Sequence, residues 1–144
     1  LISRQGIGDN VLTDIITVTV PNPTNGLSAF ILVDWIVRTT ADRSSESGQI
    51  RIDISRRFDA ATVAAIAVTL AGVEQQSGPF AEALAVTWSI DAMVGAASAT
   101  QTFHIEITVD SDAAGAPLVQ FYATALSGGG AGSSTIAEVT MALA

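Results

Sequence analysis

The sequence predicts an all-β fold, an antiparallel β-sandwich of jelly-roll-like organisation with seven or eight strands. Three observations carry that prediction. Apolar residues recur with period two in run after run, turn-forming residues separate the runs at fairly even spacing, and no stretch carries a convincing helix. With 144 residues and no cysteine, a single core is expected, without disulfide staples or a thiolate metal site. The pattern divides the chain into an extended arm over 1–10 and one sandwich domain over 11–144. Gly6, Gly8 and Asp9 break any period in the arm, which is expected to grip a neighbour rather than join the core.

The first strand is expected from Asn10 to Val20, where Leu12, Ile16, Val18 and Val20 alternate with threonines. Pro21, Pro23 and Asn25-Gly26 end it, because proline cannot donate to a ladder and Asn-Gly readily takes positive φ. A second strand covers about Ala29 to Thr40. Its inward set is Ile31, Val33, Trp35 and Val37, which leaves Phe30, Leu32, Asp34, Ile36 and Arg38 facing out. That outward set is too apolar for open water. A polar loop over Ala41–Gln49 leads to Ile50–Arg56, whose alternation is unbroken. In the resulting hairpin Asp34 and Arg38 are expected across from Arg51 and Asp53 as a charge ladder.

Asp59–Val73 reads two ways. Val63, Ile66, Leu70 and Val73 fit a helical stripe with Asp59 as N-cap, whereas Ala64, Ile66, Val68 and Leu70 fit a strand, which the β-branched residues and Gly72 favour. Beyond an expected loop at Glu74–Pro79, strands follow at Leu84–Ile90, Phe103–Asp110 (Phe103, Ile105, Ile107 and Val109 inward) and Leu118–Leu126. Asp112–Gly115 is the turn before the last of these, Ser127–Ser134 a glycine-rich loop after it, and Thr135–Leu143 the closing strand.

Composition narrows function. Six arginines and no lysine stand against fourteen acidic residues, a net charge of -8, so nucleic acid and anionic lipid are disfavoured as partners. Mean hydropathy is high at +0.46, yet no apolar run approaches the roughly 20 residues that span a bilayer. Charged residues make up only 14% of the chain, too few to dress the surface of a monomer of this size. Self-assembly follows as the expectation, with Phe30, Leu32 and Ile36 as the contact and Asp34, Arg38, Arg51 and Asp53 as interfacial ion pairs. The chain opens on Leu1-Ile2-Ser3 without a charged-then-apolar leader, which reads as a processed or trimmed start.

No motif with catalytic spacing occurs. His104, the single histidine, falls on a polar strand face beside Glu106, the setting of a surface ion pair that becomes pH-sensitive if that face meets another subunit. Asp110-Ser111-Asp112 lacks the further oxygen donors of a calcium loop and reads as an Asx-turn. Asp34, Asp53, Asp91 and Glu106 are the carboxylates available for glycoside hydrolysis, but spacing selects no pair among them. Trp35, Trp88, Phe121 and Tyr122 are the aromatics that could stack on sugar rings, but both tryptophans fall in inward registers, so core packing is favoured. No cofactor and no metal is expected.

Taken together, Phe30-Ile-Leu-Val-Asp-Trp-Ile-Val-Arg38, the polar loop and Ile50–Arg57 strand after it, Ala85-Val-Thr-Trp-Ser-Ile-Asp91, Phe103-His-Ile-Glu-Ile-Thr-Val109 and Val119-Gln-Phe-Tyr-Ala-Thr-Ala125 resemble the jelly-roll β-sandwich domains of tailed-bacteriophage virion proteins. Those domains occur in capsid decoration proteins, head spikes and fibres, and tail-fibre tips. The resemblance implies a non-enzymatic virion component, usually a homotrimer, assembled in the host cytoplasm. Its partners would be its own copies and the major capsid protein or another virion protein. The alternative is a receptor- or glycan-binding β-sandwich of a tail fibre, or a carbohydrate-binding module, which should present two or three aromatics on one open patch.

Overall fold

The computed structural model describes residues 1–22, 26–39, 45–57, 65–77, 84–96, 99–111, 116–129 and 138–144, with the side chains at 57, 65–67, 71–77 and 129 excepted. They form an all-β antiparallel sandwich with nine strands: β1 (Ile2–Gly6), β2 (Thr13–Val20), β3 (Leu27–Arg38), β4 (Ser45–Arg57), β5 (Ala65–Ser77), β6 (Leu84–Ile90), β7 (Gln101–Ser111), β8 (Leu118–Gly129) and β9 (Thr140–Leu143). One sheet has the order β1-β8-β3-β4-β5 and the other β6-β7-β2-β9. Strands β3, β4 and β5 run as a meander, and β8 returns after an excursion through the second sheet to lie beside β3, a Greek-key arrangement.

The core lies between the sheets and follows the period-two pattern. Ile31, Val33, Trp35 and Val37 of β3 and Ile50, Ile52 and Ile54 of β4 are buried from one side; Phe103, Ile105, Ile107 and Val109 of β7 are buried from the other. Trp35 and Trp88 meet across the sandwich with ring centroids 5.8 Å apart and planes at 51°. Gly48 pairs with Trp35, so the largest side chain of β3 stands opposite a residue that has none. In β2 the phase slips. A bulge between Asp14 and Ile16 turns both Ile15 and Ile16 inward, while Leu12, expected in the core, is 58% exposed.

Four expectations are corrected. Residues 1–10 are not a free arm: β1 pairs with β8 from Ile2↔Tyr122 to Gly6↔Leu118, the Leu1 amino group donates to Ala123 O at 2.9 Å, and Ile7 is buried. An edge strand needs only one ladder, which Gly6 does not interrupt. Asn10, at φ 53°, turns the chain toward β2. Glu74–Ser77 is strand rather than loop, paired with Glu46–Gln49, and Ser127–Gly129 extends β8 against Leu27–Ala29. Polar and glycine-rich segments hide their membership of a ladder because backbone hydrogen bonds, not side chains, make it. The strand count rises to nine. Of the ambiguous segment, 65–73 is strand; Asp59 and Val63 lie outside the described residues, as do the turn at 112–115, most of the glycine loop and the start of the closing segment, including Ile136.

Candidate functional site

The outer face of the five-stranded sheet is built by the residues that alternate with the core. From β3 come Phe30, Leu32, Asp34, Ile36 and Arg38; from β4, Gln49, Arg51, Asp53 and Ser55; from β8, Gln120, Tyr122, Thr124 and Leu126; from β1, Ile2 and Arg4. The three residues expected at a contact, Phe30, Leu32 and Ile36, sit together on this face and are half-buried. Around them stand Ile2, Tyr122 and Leu126, which are 69%, 48% and 62% exposed. The sequence reading missed these three, although the alternation of β8, with Phe121 in and Tyr122 out, already carried the signal for two of them.

The charged groups on the face are arranged differently from the expected ladder. Asp34 pairs with Gln49, whose Nε2 donates to Asp34 Oδ1 at 2.8 Å, and Arg38 pairs with Ser45. Arg51 and Asp53 stand opposite Leu32 and Phe30. The cause is the connection between β3 and β4, which is shorter than the polar composition of Ala41–Gln49 implied and so shifts the register. Arg51 instead holds its own neighbour on the strand, with Nε donating to Asp53 Oδ1 at 2.9 Å, and lays its guanidinium 4.5 Å from the centre of the Phe30 ring. Arg4 and Arg38 have no ion-pair partner among the described residues. With Ile36, Leu118 and Gln120 they border a shallow hollow of about 100 Å³.

A larger cavity, about 450 Å³, opens on the same face toward the Leu27 end of β3. Small residues make it. Ser28, Ser55, Thr69 and Gly128 leave room beside Phe30 and Leu126, and Arg51 with Asp53 closes one side. Its surface is mostly apolar, with hydroxyls and one ion pair at the margin.

The outside of the second sheet has another character. His104 Nδ1 lies 2.8 Å from Asp91 Oδ2 and 3.9 Å from Asp14 Oδ2, and Asp91 also accepts the His104 backbone N–H. Glu106, the expected partner, accepts instead from Ser89 Oγ at 2.8 Å. Residues two apart on one strand are farther from each other than cross-strand neighbours, which is why Asp91 and Asp14 reach the imidazole. The hydrogen bond that Asp91 accepts raises the His104 pKa above its ordinary value; burial opposes it, and the charges of Asp91, Asp14 and Glu106 raise it further. Asp34 and Asp53 therefore lie on one face of the sandwich and Asp91 and Glu106 on the other. Asp110 is exposed, and Ser111 N donates to Asp9 Oδ1 at 2.8 Å. No cluster of three or more metal-ligating side chains forms among the described residues.

No protein-family model matches the chain, and no curated protein matches it. Among solved structures it is similar to the tailspike protein of Acinetobacter baumannii phage AM24, with a TM-score of 0.45 and 11% identity; 84% of this chain and 25% of that chain are covered. The chain thus spans about a quarter of the tailspike's length.

Proposed function

We propose that this protein is a non-enzymatic structural component of a bacteriophage virion, a capsid decoration or head-fibre β-sandwich. It assembles with copies of itself, as a trimer, and stabilises or decorates the particle by contact with the major capsid protein or another virion protein. One observation carries the reading: six apolar side chains, Ile2, Phe30, Leu32, Ile36, Tyr122 and Leu126, share one outer sheet face in a chain with few charges. A face of that kind is stable in water when another protein surface covers it. The glycan-binding alternative asks for several open aromatic rings. On this face Tyr122 is open, but the Phe30 ring carries Arg51, and both tryptophans are buried.

Two measurements on the purified protein test the proposal. Light scattering at micromolar concentration should return an assembly, and a panel of host-surface glycans should give neither binding nor hydrolysis. Hydrolysis of a capsular or cell-wall glycan that disappears when Asp34, Asp53, Asp91 or Glu106 is changed to the amide would overturn it.

A further inference from the structure

The apolar face holds a projection and a recess at different places. Tyr122, with Ile2 paired beside it, projects at the β1 side. The recess is the 450 Å³ cavity between Phe30, Leu126, Arg51, Asp53, Ser55 and Thr69. Tyr122 and Leu126 are both on β8, four residues apart, which at about 3.3 Å per residue separates knob from hole by roughly 13 Å. A tyrosine therefore does not fill the cavity of its own chain.

We propose that Tyr122 of one copy seats in this cavity of a second copy, with Ile2 packing at its rim. The inference rests on the assembly reading above and names the contact. Three features of the face favour a second copy as occupant. Its area is of the order a protein contact uses: five strands about 4.8 Å apart, the central ones 12 or 13 residues long, give roughly 800 Å², which the ring divides between the two contacts each copy makes. The cavity also suits the side chain, because its apolar surface takes the ring while Asp53, Arg51 and the hydroxyls at its margin can bond the phenol. Finally, knob and hole lie on one continuous face, so every copy offers both. In the trimer of the assembly reading, each copy gives its tyrosine to the next, and the third contact closes the ring.

Two single variants and their mixture test this, with the wild-type protein as reference. Tyr122→Ala removes the knob, and Ser55→Trp fills the hole from an exposed strand position on its lining. Thermal melts confirm that each remains folded. Wild type should scatter light as a trimer, each variant alone as a monomer, and the equimolar mixture as a heterodimer, because only the Ser55→Trp knob meets an open hole. If wild type assembles and either folded variant assembles equally well, the knob-in-hole contact is overturned while the assembly reading stands. A monomeric wild type overturns both.

Discussion

Among the described residues Arg56 is the one cation in the interior. It occupies the inward phase of β4, after Ile50, Ile52 and Ile54, and only 2% of it is exposed. Nη1 donates to Pro21 O at 2.7 Å and to Val20 O at 3.3 Å, and Nη2 donates to Ala99 O at 2.6 Å. One planar fork thus joins the end of β4 to the end of β2, the proline that follows it and the segment ahead of β7. Burial lowers its pKa, although the group stays charged. Arg56→Ala would take the donor from the carbonyls of Val20, Pro21 and Ala99 and leave a void, so a loss of about 3 kcal/mol is expected in urea unfolding. Arg56→Lys should recover only part of it, because an ammonium cannot reproduce the fork. His104 supplies a prediction of opposite character. Its folded pKa is raised above 6.5, so protonation favours the folded state. The stabilisation is complete below about pH 6.5 and is lost as pH rises through the folded pKa. Melting temperature measured upward from pH 6 should show this step in wild type, and His104→Gln should abolish it. Asp34→Asn, at an exposed position, should cost no more than about 1 kcal/mol.

Among the elements, β1 is where expectation and structure part most clearly, and the consequence is measurable. Removing residues 1–7 takes away the β1–β8 ladder and the buried Ile7 and bares the β8 edge. A marked fall in melting temperature is expected, and Ile7→Ala alone should cost about 2 kcal/mol or more. An unchanged melt would mean that β1 is not part of the folded unit. The inward sets of β3 and β7 were legible from alternation because both faces of those strands have decided environments. What escaped was whatever alternation does not encode. The bulge that turns Ile15 and Ile16 inward is a backbone event. The Glu46–Gln49 and Glu74–Ser77 pairing joins polar segments whose composition spells loop. The hairpin register depends on a turn length, and a shift there separated Asp34 from Arg51 along the strands. The apolar residues of the outer face, by contrast, were visible in Phe30, Leu32 and Ile36, because alternation sets them opposite the core-facing residues of β3.

At the scale of the whole molecule, the two outer faces divide the chemistry. One mixes six apolar side chains with Arg4, Arg38 and Arg51 against Asp34 and Asp53; the other groups Asp14, Asp91 and Glu106 around His104. The central claim is that the apolar face is covered by further copies of this chain. Multi-angle light scattering of the wild-type protein at micromolar concentration tests it most directly. The account predicts a single species of about 44 kDa, three times the 14.7 kDa chain. A stable 14.7 kDa monomer would contradict it.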